Sequence, residues 1–540
     1  MLHMSAPENT GYAVSRAEFL KLAALGGAGL ALAGIAGGVR PNMVFAAGKD
    51  SVVITHLGDP KGWCPDTTAD DYAYAPEQNM FHRLTKLDVG KKAIPDAAES
   101  WDISDDAKTI TFHLRQDLKW SDGEPLTSAD AQYTFQTLKD TPEYYLCSSL
   151  QAIDTIEAPD DYTLVFNMKQ PDMSLINNIG WYGGFILPKH VYDNGVGWVD
   201  NDAAKLTGTP VTSGPYKLKE YKQGQSITLE ANEDYYQVPK IKTLIYSIIA
   251  DPSTQVQAIQ NAETDVLETI PEANVPTLQA DPSLRLVENI YPSPIRLIFN
   301  CTRSERHLDD PAVRTALAMC IDRDAISQKA FGGIRPPETH YYPSLYADYS
   351  NDKDVVPAYD PEGAQKLLEQ AGYTKNENGN YIEGLTIDAF SQAGCDETAK
   401  LLASAWSSAG LQCEVVMSEF NAWNDKVAVQ HDFDIEMQGG FMGPDAYALK
   451  FRLGTGTASN YGGYSNEEFD ALLEEANSTP DDAKRQDLYK QAQTILAQDV
   501  PYVPLVGFTG YDAYAADLKN IPADGVDKWG WQEWTYAEWA

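Results

Sequence analysis

The side chains of this sequence that can make or break bonds are not spaced to do so. A serine nucleophile on a strand-to-helix elbow needs Gly-x-Ser-x-Gly. Zinc hydrolysis from one helix face needs His-Glu-x-x-His. Nucleotide binding needs a Walker loop or a glycine fingerprint after a strand. None of these occurs. Gly454-Thr455-Gly456-Thr457 has glycines but neither the lysine nor the spacing of a phosphate loop. None of the eight histidines stands three or four residues from another histidine or a cysteine, so no metal-ligand set is expected. The 78 acidic residues offer so many carboxylate pairs that spacing says nothing about glycoside hydrolysis. What is abundant is the polar-tipped aromatic side chain, with 30 Tyr and 11 Trp, which suits gripping a ligand by stacking. The inventory favours binding over turnover, with no catalytic residue, cofactor or metal.

The balance of charge narrows the partners. A net charge of -37 excludes a phosphate-binding surface as the main business, because that needs clustered Lys and Arg. It equally disfavours docking on anionic lipid. No nucleic acid partner is expected. With 43% hydrophobic and 22% charged residues the chain is globular. At 540 residues it is long enough for several domains or two large lobes.

The elements that must position any site alternate along the chain. Residues 109–115 and 162–168 alternate apolar and polar, the pattern of half-buried antiparallel strands. Between them Thr127-x-x-Asp130 is a capping box opening a helix through Leu138. Further strands are expected at 226–231 and 242–249. From Pro311 the period becomes helical, with Val313, Ala316, Leu317, Cys320 and Ile321 on one face. A helix at 361–371, a strand at 385–390, a helix at 397–408 and a strand at 412–417 come next, the last three forming a βαβ unit with parallel strands. Helices at 466–476 and 481–498 precede a strand-like, aromatic tail. A tail that pairs back onto the first block makes the chain cross twice between two lobes, near 295–300 and 502–507. Two crossings make a hinge, and the gap between lobes is the ligand site by default.

The first 47 residues are an export signal or an N-terminal anchor. Arg16 and Lys21 precede an uncharged run, 22–39, and Val44-Phe45-Ala46 offers a cleavage site. Ser15-Arg16-Ala17-Glu18-Phe19-Leu20-Lys21 resembles a twin-arginine motif with Ala17 in place of the second arginine. No lipobox cysteine comes after it. The chain is therefore expected outside the cytoplasm, periplasmic or on the cell surface. Export permits disulfides, and the six cysteines allow either pairing, with Cys395 and Cys413 as candidates, or buried free thiols.

One long stretch carries a resemblance. Residues 94–115, from Ile94-Pro95-Asp96 through Trp101 to Arg115, are followed by Leu118-Lys119-Trp120-Ser121-Asp122-Gly123-Glu124-Pro125-Leu126-Thr127-Ser128-Ala129-Asp130. This closely resembles the signature of family 5 extracellular solute-binding proteins, the oligopeptide- and dipeptide-binding components of ABC importers. Gly214-Pro215-Tyr216, Phe299-Asn300, Ile321-Asp322-Arg323, Asn460-Tyr461-Gly462-Gly463-Tyr464 and Pro501-Tyr502-Val503-Pro504 continue it in the family's order. The resemblance implies an α/β, periplasmic-binding-protein-like, two-lobed fold of the large three-region type. Lobe 1 would be discontinuous, 48–300 with 503–540, carrying an extra α+β subdomain at about 91–204; lobe 2 would span 301–502. It implies hinge closure on a solute, delivery to a cognate membrane permease, a monomer, and no enzymatic activity.

The resemblance also suggests the ligand residues. Peptide-binding members hold the peptide ammonium with a carboxylate in a glycine-rich loop after a strand of the second lobe. Here that loop runs from Gly439 to Asp445, which assigns Asp445 as ammonium partner with Gly440, Phe441, Met442 and Gly443 beside it. Tyr72, Tyr74, Trp181, Tyr182, Tyr341, Tyr342 and Trp423 stand in loop-like contexts where members place cleft residues; Arg452 is a weaker candidate. Dipeptide-specific members carry an arginine in the second lobe's first strand-to-helix loop. Ser391-Gln392-Ala393-Gly394-Cys395 has none, which points to peptides longer than dipeptides. An oligosaccharide or a metal chelate on the same fold is the alternative, and an exported hydrolase the remote one.

Overall fold

The computed structural model describes residues 50–540 except 68–69, 89–90, 291–292, 343, 392–393, 441 and 522–533. The proposed leader and Phe441 lie outside the described residues. Three large sheets, beside two two-stranded ones, organise the rest.

The first has seven strands in the order Leu284–Ile290, Thr509–Ala515, Val266–Leu267, Ser51–His56, Thr243–Ile248, Ser226–Ala231, Tyr216–Lys222. The second has five, Leu411–Ser418, Ile382–Phe390, Ile435–Gly439, Ile295–Phe299, Tyr502–Val506. The third is antiparallel, Ala98–Ile103, Thr109–Leu114, Thr163–Met168, Ile153–Asp160. Its two central strands, Thr109–Leu114 and Thr163–Met168, bury alternate residues, as Ile110, Phe112 and Leu114 predicted. Its apolar face joins one core with the seven-stranded sheet, whereas the five-stranded sheet has a separate core, including Leu297, Ile387, Trp406 and Tyr489.

The elements obey their local signals. Thr127 and Asp130 form the expected reciprocal cap on helix Ser128–Asp140. Asp310 caps helix Pro311–Met319, and Asp360 caps Pro361–Gln370, each with proline in the first turn. Ile382–Phe390 and Leu411–Ser418 are parallel across helix Cys395–Ser408, the βαβ unit expected. All six cysteines are free thiols. Cys395 opens the helix while Cys413 lies within the strand after it.

Pairing moves the crossings between the lobes. Ile295–Phe299 and Tyr502–Val506 pair with each other inside the second sheet. Leu284–Ile290 and Thr509–Ala515 pair with each other inside the first. The chain therefore leaves the second sheet before Ile295 and after Val506. Buried strand residues such as Leu297 and Val503, both fully covered, need the second lobe's core. Among the described residues no helix is long and apolar enough to cross a membrane.

Candidate functional site

A cavity of about 280 Å³ lies between the lobes. One wall comes from the lobe of the seven-stranded sheet: Tyr145, Asn178, Trp181 and Tyr182. The other comes from the second lobe, downstream of strand Ile435–Gly439: Met442, Gly443 and Arg452. Four sequence candidates, Trp181, Tyr182, Met442 and Gly443, therefore meet in one place, with Arg452.

The aromatic wall is built on a buried carboxylate. Asp66 accepts the backbone N–H groups of Gly184 and Phe185, each at 3.0 Å. A Cβ on Gly183 would fall 2.2 Å from the Asp66 carboxylate, so only glycine lets the turn after Tyr182 close on it. Burial pushes the Asp66 carboxyl up to about 7, against the two N–H donors that favour its ionised form. Tyr182 stacks on Tyr74 with ring centroids 4.3 Å apart and donates to Asp71 at 2.9 Å. The Tyr74 hydroxyl donates to the Trp181 carbonyl and accepts from Arg83 at 2.8 Å. Tyr74 is thus the support behind the wall, stacked under Tyr182.

The opposite wall rests on buried charge. Arg296, fully buried, donates to the Gly440 carbonyl at 3.0 Å. Burial pulls Arg452 down to about 10, with Arg296 acting in the same sense and Glu436 opposing. Burial raises the Glu436 carboxyl, while Arg296 counters it. Gly443 adopts φ +104°, and a Cβ there would fall 2.3 Å from that of Ala448. The loop therefore needs this glycine for its turn and for close packing.

Asp445 has other partners than the one expected. Arg485 Nη2 donates to both of its carboxylate oxygens, at 2.8 and 2.9 Å, and both residues are buried. Its Oδ1 also accepts from the Tyr447 N–H at 2.9 Å, and its Oδ2 from Asn177 Nδ2 of the other lobe at 3.0 Å. With both oxygens engaged, a ligand ammonium reaches Asp445 only by displacing one of these donors. Nearby Ser174 N–H donates to Asn477 Oδ1 at 3.0 Å, and Asn477 Nδ2 donates to Asp172 at 2.9 Å. These contacts join the lobes beside the cavity.

The remaining candidates lie elsewhere. Tyr342 is fully buried against Tyr489, and Tyr341 is fully buried near Tyr502. Trp423 packs with Phe390, Val427 and Phe433, and its indole donates to the Asp388 carbonyl. Their apolar bulk fills lobe 2 and does not line the cavity. Tyr72 is 41% exposed and lies over Gly58 and against His56. Gly440 presents its carbonyl to Arg296 rather than to the cavity. Sequence reasoning missed Tyr145, Asn178, Asn177, Asn477 and Arg485, because nothing in their spacing marks a contact made across 268 or 303 residues.

Comparison with known proteins agrees with this architecture. The model of "Bacterial extracellular solute-binding proteins, family 5 Middle" matches residues 92–461. The dipeptide-binding protein of Escherichia coli (strain K12) is 26% identical over 525 residues, covering 90% of this chain and 95% of that protein. The structure of the substrate-binding protein CtaP from Listeria monocytogenes superposes with a TM-score of 0.79 at 24% identity, covering 91% of this chain and 99% of CtaP. The oligopeptide-binding protein AppA from Bacillus subtilis, solved with a nonapeptide, gives 0.71 at 23% identity, covering 91% of this chain and 99% of AppA. The two-lobed frame, a cavity walled by both lobes and a family match over most of the chain lead to one conclusion: this protein belongs to the bacterial extracellular solute-binding proteins, family 5.

Proposed function

We propose that this protein, exported from the cytoplasm, captures peptides longer than dipeptides between its lobes as a monomer and delivers them to a membrane permease. The observation that carries the reading is the interlobe cavity, whose walls come from residues more than 250 positions apart and so exist only when the lobes approach. Backbone pairing with an extended peptide tolerates any side chain, while the aromatic wall Trp181–Tyr182 and the glycine-bearing loop at Gly443 supply stacking and close approach. The arginine-free segment 391–395 supports a length beyond two residues, as does the similarity to AppA, which was solved with a nonapeptide. Native mass spectrometry of the protein as purified tests the reading. A ladder of masses that resolves into peptides of three or more residues is expected. A single non-peptide mass, such as an oligosaccharide or a chelate, overturns the peptide assignment, and a dipeptide-only set overturns the length.

A further inference from the structure

The interlobe cavity of about 280 Å³ selects by charge and by hydrogen-bond sense. Among its described lining residues the one ionised side chain is Arg452, set beside Leu146, Met442 and Phe451. Lowered only to about 10, its guanidinium is a cation at neutral pH. Arginine donates through its nitrogens and accepts through none. Arg296 adds a second buried guanidinium that acts on Arg452, and Glu436 is the carboxylate that opposes them, so the charge behind this wall is net positive. The carboxylates around the cavity are committed elsewhere. Asp445 has Arg485 on both oxygens. Asp66 accepts from the N–H groups of Gly184 and Phe185, and Asp71 from the Tyr182 hydroxyl. Asp172 lines an adjoining hollow together with Lys169, and its Oδ1 takes the Ser174 hydroxyl at 2.7 Å and Asn477 Nδ2 at 2.9 Å.

We infer that the solute end seated in this cavity is an uncharged acylamide, so that the preferred peptides are acylated at the amino terminus. An ammonium placed here would lose its water beside a guanidinium, with no counter-ion among the described lining residues. An acylamide meets no such cost. Its carbonyl is an acceptor, the match for Arg452. Its N–H is a donor, the match for a hydroxyl such as that of Ser149 on the same wall. Its acyl carbons lie between Met442 and the Trp181–Tyr182 wall. Arg452 is thus the residue that sets specificity at this end. The inference rests on the interlobe peptide reading above and narrows it to one class of peptide.

Two pairs of probes separate the inference from that reading. Phe-Ala-Ala and N-acetyl-Phe-Ala-Ala are titrated by calorimetry, and phenethylammonium and N-acetylphenethylamine by ligand-observed NMR. At about pH 6 the acetylated member of each pair should bind wild type at least about tenfold more tightly. At about pH 9, above the α-amino pKa of about 8, the free peptide should gain affinity while the acetylated one does not. Ser149→Asp, which puts a carboxylate on a half-buried position of the cavity wall, should shift the preference toward the free ammonium. Equal or tighter binding of a free ammonium to wild type overturns the inference. So does failure of both acetylated probes to bind, or a preference that Ser149→Asp leaves unmoved. If the acetylated fragment is preferred while neither peptide binds, the inference about the cavity stands and the peptide reading falls.

Discussion

Arg485 Nη2 lies 2.8 and 2.9 Å from the two carboxylate oxygens of Asp445, and the pair is buried. Desolvation of two charges is costly, and the pair repays it only through its mutual attraction and the further donors, Tyr447 N–H and Asn177 Nδ2. Asp445 is therefore a structural anchor of the loop that walls the cavity and a contact between lobes.

Asp445→Asn should lower stability by about 3 kcal/mol, because it leaves Arg485 charged and buried without its counter-ion. In binding, the variant should weaken a free-amine peptide and its N-acetyl form alike. A selective loss for the free amine would restore Asp445 as an ammonium partner. Denaturation midpoints and calorimetry read the two effects.

Asn477→Ala removes the acceptor for the Ser174 N–H and the donor to Asp172, both made across the lobes. Ser174 N–H keeps Asp172 Oδ1 at 3.1 Å, so the two lost bonds cost about 0.5–1.5 kcal/mol each when the lobes touch and nothing when they part. The variant should therefore have a larger radius of gyration without ligand. Scattering profiles identical to wild type would show that these contacts do not set the interlobe equilibrium.

Trp181→Ala should weaken peptide binding by about 2 kcal/mol, the scale of a buried aromatic anchor. Its carbonyl contacts with Tyr74 and Arg83 are backbone and survive the change. Trp423→Ala should instead cost about 3–5 kcal/mol of stability and leave affinity unaltered, since that ring packs on Phe390 in a core cluster. A reversal of the two phenotypes would move the binding site.

Asp66 sets a pH dependence. Its carboxyl is raised to about 7 by burial, so between its ordinary value near 4 and pH 7 the folded protein holds a proton that the unfolded chain has released. Stability from this group is full at the acid end of that window and falls by about 1.4 kcal/mol per pH unit as pH rises through it. Asp66→Asn should flatten this slope, although it loses one of the two N–H acceptors. Urea midpoints at pH 5 and pH 7 give the comparison, and an unchanged slope would assign the titration to another group, with Glu77 next in line because burial raises it too.

Six thiols per chain should react with a thiol reagent in denaturant without prior reduction. In the folded protein they should react slowly. Burial pushes Cys395 up to about 11 and Cys413 up to about 12, which suppresses the thiolate that attacks.

Local and periodic features were legible in the sequence. Thr127 with Asp130, the alternation through Ile110, Phe112 and Leu114, and the βαβ unit ending in Leu411–Ser418 each depend on neighbours within a few residues or on one repeated period. Part of the cavity was legible as well, since Trp181, Tyr182, Met442 and Gly443 stand in loops flanked by glycine or proline. Tyr342 and Trp423 show the limit. An aromatic side chain in a loop-like segment has the same local sequence whether it faces a cleft or fills a core, and burial by distant elements decides which.

The sequence by itself determined the family and the order of the elements. These come from composition, spacing and short words that need no third dimension. Tertiary structure alone decided the partners of charge. Asp445 meets Arg485 at a separation of 40 residues and Asn177 at 268, and Arg335 meets Glu272 at 63. A carboxylate in a glycine-rich loop can serve a ligand, a cap or an ion pair. Only the approach of a second chain segment, in a medium where an unpaired charge is costly, selects among them.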